Sequence, residues 1–371
     1  MLQINNWQIF CIMLNITATT GYVIYPNTLA LSAGNNSWLA SLAAMIPCAV
    51  LIYIYLSILK KSPRPFPEML EDCFGKIAGK TLGLFYGAAF FVSAAITLRL
   101  FINFVESNVL PGVPISVFAG GMILVAYYTI TKGLQGVTRM LELEVIIVAT
   151  FAVFILLGGL TIKPDLTYLL PIGQVSIKGF AVAAFQSFYI LGYMMVILTL
   201  AYHSNSREKV GKSMFVNMFA HTFFITGACL ITLSQFGSYH TRILNYPTFI
   251  LVRRISIGDF IQNMDAIFVA FWTLGIYATL TFLWYMSCYI VQKALDLKDL
   301  RIIATPGTII MGIVTVMLAA NAIELRFLYT MVFPLFHLFF FVIIPIIMAL
   351  VLAFKPTPVT SNGLTTPIEN R

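Results

Sequence analysis

The chain is a succession of apolar runs, each about as long as a bilayer crossing, and this pattern constrains everything else. A membrane helix needs about 20 mostly apolar residues. Runs of that kind fall at about 7–31, 38–59, 81–110, 113–130, 145–162, 179–202, 213–236, 266–291, 302–323 and 327–354. The expectation is an all-α integral membrane protein with ten transmembrane helices in one domain over 1–354. The tail at 355–371, KPTPVTSNGLTTPIENR, is polar and Pro-containing, and is expected to be mobile.

Composition supports the membrane reading: 60% of the 371 residues are hydrophobic and 10% are charged, where a soluble domain carries about 25% charged residues. Mean hydropathy is +0.92. The net charge of +8 is read as basic flanks of membrane spans rather than as a nucleic-acid surface. Cys11, Cys48, Cys73, Cys229 and Cys288 form no CxxC pair, so neither a disulfide framework nor a metal site is expected. Among the histidines no HxxxH or HExxH spacing occurs, and His221 and His337, inside spans, are expected to be satisfied interior residues. No P-loop, GxGxxG or Ser/His/Asp pattern suggests catalysis or a cofactor. No Lys or Arg precedes Lys60, so the first run lacks a signal peptide's basic start and is expected to remain as span one.

Lys and Arg set the orientation. With a cytoplasmic N-terminus, Lys60, Lys61, Arg64, Lys76, Lys80, Lys132, Arg139, Arg207, Lys209, Lys212, Lys293, Lys298, Arg301, Lys355 and Arg371 fall inside. Lys163, Lys178, Arg242, Arg253, Arg254 and Arg326 fall outside. The inside excess favours both termini in the cytoplasm. The longest outside loop, about 237–265, contains YPTFILVRRISIGDFI. It reads either as an amphipathic segment on the outer surface or as an ordinary folded loop, with Asp259 available to Arg253 or Arg254.

Ten spans divide into two sets of five, at about 7–162 and 179–354, and an odd number inverts the second set. Span one, LNITATTGYVIYPNTLAL, carries Thr17, Thr19, Thr20 and Gly21 before Pro26. Span six, which opens the second set, carries Gln186, Ser187 and Gly192 in FQSFYILGYM. Paired interruptions at matching places are the best sequence pointer to a transporter site. Unwound backbone is tolerated at membrane depth only where it is buried in protein or lines a cavity. Half-helix N-termini offer N–H groups to a carboxylate, and half-helix C-termini offer carbonyls to an ammonium. Two facing breaks therefore suit a zwitterion, although either break alone is compatible with a simple kink.

These features resemble the spore germination permeases, the GerAB-type B subunits of nutrient germinant receptors, within the amino acid–polyamine–organocation transporter superfamily. The match rests on the ten spans, the GY…P…L ending of span one, LGY in span six, Arg99, YPT at 246–248, and GDFIQNMDAIFVAFW before span eight. The resemblance implies a 5+5 inverted repeat (LeuT-like) with discontinuous helices one and six. It also implies a small nutrient, often an amino acid, bound at mid-membrane in the spore's inner membrane. The implied partners are an A-type membrane subunit and a C-type lipoprotein subunit. Met194 and the pair Gln262 and Asn263 depart from charged residues common in that family.

On this reading Thr17, Ala18, Thr20 and Gly21 form the break of span one, and Ser187, Leu191 and Gly192 that of span six. Ser93 and Thr279 line the side-chain end, with Tyr22, Phe188 and Leu191 favouring a small, weakly polar ligand. Arg99, Asn103 and Glu106 form a polar stripe on span three, read as a gate or as a static packing device. Glu142 and Glu144 are expected to cap span five at the cytoplasmic surface, and Asp265 to cap span eight. Spans one, six and eight carry no charge. No membrane carboxylate is thus expected near the breaks, which favours a sensor over a proton-coupled form of the alternative, a secondary amino acid permease. A sodium site built from backbone and hydroxyls stays open, and the third reading is a structural subunit that binds no ligand.

Overall fold

The structure, a computed structural model, describes residues 4–255 and 264–355. The tail from 356, Asp259, Gln262 and Asn263 lie outside the described residues. Every main element is helical. In chain order they are α1 (Asn6–Ala18), α2 (Gly21–Ala33), α3 (Ser37–Ala43), α4 (Met45–Lys61), α5 (Phe66–Phe74), α6 (Lys76–Asn108), α7 (Ile115–Ile130), α8 (Gly133–Leu160), α9 (Ile177–Leu191), α10 (Ile197–Leu200), α11 (Val210–Ile243), α12 (Pro247–Arg254), α13 (Asp265–Ala294), α14 (Arg301–Met317), α15 (Ala322–Phe327), α16 (Phe333–His337) and α17 (Ile344–Phe354). Among the described residues, 7 helical stretches are long and apolar enough to cross a membrane, and α7 and α14 are shorter apolar helices.

The core is built on α6 and α13, which pack along each other, with α1 and α2 wedged between α8, α9, α11 and α13. Both members of the central pair are buried through much of their length. Glycine sets the spacing at one point: a Cβ on Gly87 of α6 would lie 2.2 Å from Val291 Cγ2 of α13. Such small residues let membrane helices approach closely. The lipid-facing surface is conversely apolar, with Ile46, Leu124, Ile309 and Leu335 all exposed.

Span one begins with a capping box. Asn5 Oδ1 accepts from the Gln8 amide at 2.8 Å, and Gln8 Oε1 accepts from the Asn5 amide at 3.1 Å. Just before it, Ile4 forms a parallel bridge with Ser204, its amide donating to His203 O at 2.8 Å and its carbonyl accepting from Asn205 N at 3.1 Å.

Two regions differ from the sequence expectation. Helix α8 starts at Gly133, a full twelve residues before the apolar run, so Glu142 and Glu144 lie within it rather than at its cap. In the outer segment, residues 247–254 form α12, which buries Phe249, Leu251 and Val252 against the bundle. Over these residues it is a packed helix with one buried face, closer to the folded-loop alternative than to a segment lying free on the surface, and Arg253 pairs with Asp265 at 3.2 Å.

Candidate functional site

The interruption of span one is narrow. The helix pattern lapses at Thr19 and Thr20, yet both keep helical angles (φ −58°, ψ −48° and φ −75°, ψ −40°). The chain bends there rather than unwinding, contrary to the expected open backbone. Neighbouring helices take the carbonyls that the interruption and Pro26 release. Trp272 Nε1 of α13 donates to Thr19 O at 3.1 Å. Pro26 has no N–H for the carbonyl four residues earlier, and Thr248 Oγ1 of α12 donates to that carbonyl, Tyr22 O, at 3.0 Å. The YPT motif of the outer segment thus serves the proline of span one.

Span six is interrupted differently. After α9 the chain tightens into a 3₁₀ turn over Gly192–Val196, then α10, then a second 3₁₀ turn over Ala201–His203. Runs of 3₁₀ longer than about four residues are uncommon and often mark hinges or strain. Leu191 and Gly192 are buried, as are Ser187 and Met194, and Ser187 Oγ has no hydrogen-bond partner among the described residues. The two interrupted spans lie against each other: α1 packs on the 192–196 turn, and α2 packs on α9.

A third interrupted helix was not anticipated. Span ten contains π-helical stretches at Leu328–Val332 and Leu338–Ile343. Pro345 has no N–H for Phe341 O, and the Tyr55 hydroxyl donates there and also approaches Gly192 O at 3.1 Å. Tyr86 donates to Phe340 O at 2.6 Å. The signal for this site was in the sequence, in Pro334 and Pro345.

Where the three interruptions meet, polar groups gather without bonds. The hydroxyls of Tyr25, Tyr189 and Tyr329 neighbour one another and, like both ring nitrogens of His337, have no hydrogen bond of acceptable geometry. His337 is fully buried and ringed by Tyr193, Phe333, Phe341 and Tyr189, with centroids 4.2 to 5.4 Å away. His221 is likewise without a hydrogen bond of good geometry, although a backbone carbonyl lies beside each ring, that of Tyr189 at His337 and that of Thr17 at His221. Their type was visible in the sequence; partners supplied by other helices were not. Buried polar groups are normally bonded, and each exception asks for a reason.

The other side of span one is bonded almost throughout. Asn15 Nδ2 donates toward Glu144 Oε2 at 2.9 Å, Thr19 Oγ1 at 3.2 Å and Gly275 O at 3.2 Å. Thr279 Oγ1 lies 2.9 Å from Asn15 Oδ1 and 3.0 Å from Gly275 O. Glu144 is 5% exposed, and its Oε1 has no partner. A cavity of about 50 Å³ adjoins this cluster, bounded by Asn15, Ala18, Thr19, Tyr22, Glu144 and Trp272 together with apolar side chains. Buried, and twelfth in α8, this carboxyl is no surface cap. Contrary to the expectation, a carboxylate does lie beside the break of span one, so its absence no longer favours a sensor.

The remaining residues singled out in the sequence are placed as follows. Thr17 Oγ1 bonds back to Met13 O at 2.8 Å, and Ser93 Oγ to Ala89 O at 2.8 Å, each within its own helix. Ala18 and Thr20 are buried at the bend, and a Cβ on Gly21 would meet Ile225 and Tyr25 at 3.1 and 3.2 Å. A Cβ on Gly192 would meet Phe341 at 3.2 Å. The stripe on α6 splits among different partners. Arg99 Nη2 donates to Ala319 O at 2.8 Å, and Asn103 donates to the Tyr246 hydroxyl at 3.1 Å. Glu106 is half-buried. Among the described residues no bond joins the three.

Residues 3–324 match the family described as Spore germination protein. The chain belongs to that family. Putative spore germination protein YfkT of Bacillus subtilis (strain 168) is 26% identical over 267 residues, covering 69% of this chain and 70% of its own. Spore germination protein GerQB of Bacillus cereus is 24% identical over 302 residues, covering 80% of this chain and 82% of its own. Among solved structures, MhsT in complex with L-phenylalanine superposes with a TM-score of 0.66 at 13% identity, covering 94% of this chain and 95% of its own. At that identity the likeness is one of fold, a transporter-like helical fold shared by this spore germination membrane protein.

Proposed function

We propose that the protein is the membrane subunit of a spore germinant receptor, binding a small nutrient at mid-membrane and passing the event to partner subunits. The observation that carries this reading is the packing of interrupted span one against interrupted span six in a chain of the Spore germination protein family. The arrangement is ten crossings in two inverted sets of five, with both termini in the cytoplasm and the protein in the spore's inner membrane. Thr17, Ala18, Thr20 and Gly21 face Ser187, Leu191 and Gly192 across the ligand, and Ser93 closes the side-chain end, while Thr279 acts from the opposite flank of span one through its bond to Asn15. An amino acid suits the pairing of helix ends, its carboxylate toward N–H groups and its ammonium toward carbonyls. The partners are an A-type membrane subunit and a C-type lipoprotein. A secondary amino acid permease is the second reading, and buried Glu144 beside the bend of span one favours it.

Reconstitution into proteoliposomes with labelled amino acids separates the two. Saturable binding without flux supports the receptor, and accumulation driven by a gradient replaces it with the permease. Absence of both overturns an amino-acid site and leaves the reading of a structural subunit.

A further inference from the structure

We propose that Glu144 is a proton-binding site, its carboxyl carrying a proton while span one is closed and releasing it to cavity water when the bend opens. The proposal rests on the membrane-spanning reading above but not on the identity of the nutrient.

The geometry first excludes the other way of neutralising a buried carboxylate. No Lys or Arg borders the cavity, and the three ion pairs among the described residues lie elsewhere. A metal cation would need the place where oxygens converge, between Glu144 Oε2, Gly275 O and Thr19 Oγ1. That place is filled by Asn15 Nδ2, a neutral donor 2.9 to 3.2 Å from all three. Three acceptors around the nitrogen, and the Thr279 hydroxyl 2.9 Å from Oδ1, fix the orientation of the amide. A proton is the cation that remains, and Oε1, unpartnered, is the atom to hold it.

The proton also has an exit. The adjoining cavity of about 50 Å³ exceeds the 10–15 Å³, roughly, that one water needs. Gly275 keeps the approach open, since a Cβ there would lie 3.1 Å from Oε1 and 2.5 Å from Thr19 Cγ2. Release is a simple transfer: the Oε1–H bond breaks, water takes the proton, and the carboxylate is left with Asn15 as its one donor. An ion so poorly paired pulls water in, which ties ionisation to opening of the bend.

Other titratable groups do not take this role. Cys11 of α1 and Tyr22 of α2 are the nearest from span one, and α11 brings His221 beside Thr17. On α8, Glu142 accepts from Gln8 at 3.1 Å, and Arg139 lies a turn farther toward the start of the helix. Tyr277 of α13 is bonded to Thr129. Lys132, at the α7–α8 turn, sits over Tyr128, and Arg253 and Arg254 of α12 sit over Phe249 and Phe236.

Infrared spectroscopy of the full chain in phosphatidylcholine vesicles, without nutrient, tests the proposal. At neutral pH a carboxylic-acid C=O band is expected that vanishes in Glu144→Gln and moves to higher frequency in Asn15→Ala, which removes the bond to Oε2. Should Glu144→Gln not fold, the Asn15→Ala shift decides. Should neither fold, heavy-carbon labelling of glutamate in the native chain decides, because the band must then shift. Glu144 found only as carboxylate at neutral pH overturns the proposal, as does a band abolished when sodium replaces choline. Since nutrient is absent, the outcome stands apart from the binding assay.

Discussion

The two flanks of span one solve opposite problems. Toward α8 and α13, Asn15, Thr19, Glu144, Gly275 O and Thr279 form a network with a single unpaired oxygen. Toward α9 and span ten, Tyr25, Tyr189, Tyr329 and His337 leave their polar atoms unpaired. A closed network fixes geometry, because breaking any member strands another. An open set of donors and acceptors has bonding capacity to spare. One helix therefore has a clamped face and a receptive face, and the same bend divides them.

That contrast can be broken on the clamped side first. Asn15→Leu strands Glu144 Oε2, while Gly275 O keeps the Thr279 hydroxyl; a buried carboxyl left without its donor costs about 1–3 kcal/mol or more, so thermal unfolding in detergent should show the largest loss of all. Gly275→Val forces a side chain against Thr19 and Glu144, and overpacking of this kind costs about 1–3 kcal/mol. The same melt checks it, and an unchanged midpoint would mean that the clamp is slack. Trp272→Phe keeps the ring but loses the donor to Thr19 O. A loss of about 1 kcal/mol is expected, with faster hydrogen exchange of the backbone around Gly21.

The receptive side should behave in the reverse way. Tyr189→Phe removes a hydroxyl that has no partner. Stability should change by less than about 0.5 kcal/mol, while nutrient binding in proteoliposomes weakens. Loss of stability with binding intact would erase the distinction between the two faces. The smallest effect is expected outside both. Lys80 holds the Asp296 carboxyl below its ordinary range through their hydrogen bond. This exposed contribution is complete above the ordinary aspartate range and fades as pH falls through the lowered value. Lys80→Ala should lower the neutral-pH melt only slightly, because the pair is exposed, and the difference from the native chain should vanish as pH falls through the lowered value.

Much of this was legible in the chain. Apolar runs located the helices, and Gly21, Pro26 and Gly192 marked the interruptions, because backbone chemistry is a local property. Glu144 was not legible. It stands twelfth in α8, but a glutamate flanked by Arg139 and Glu142 before an apolar run looks like a cap. Its burial is decided by Asn15, which lies 129 residues away in the chain. The state of the tyrosines and of His337 was hidden for the same reason. The interruptions of span ten could have been read from Pro334 and Pro345, but no polar cluster in the chain marks them as the breaks of spans one and six are marked.

Ile4, at the very start of the described chain, bridges to Ser204 at the end of span six. Spans one and six thus hang from a common peg on one face of the molecule. A swing of either cannot be private: it drags the foot of the other, like two oars lashed at the handle. Arg207, a few residues on, donates to Pro63 O and Ala201 O, each at 3.0 Å, and carries the lashing across to the chain that follows α4. The foot of span one is thus tied first to span six.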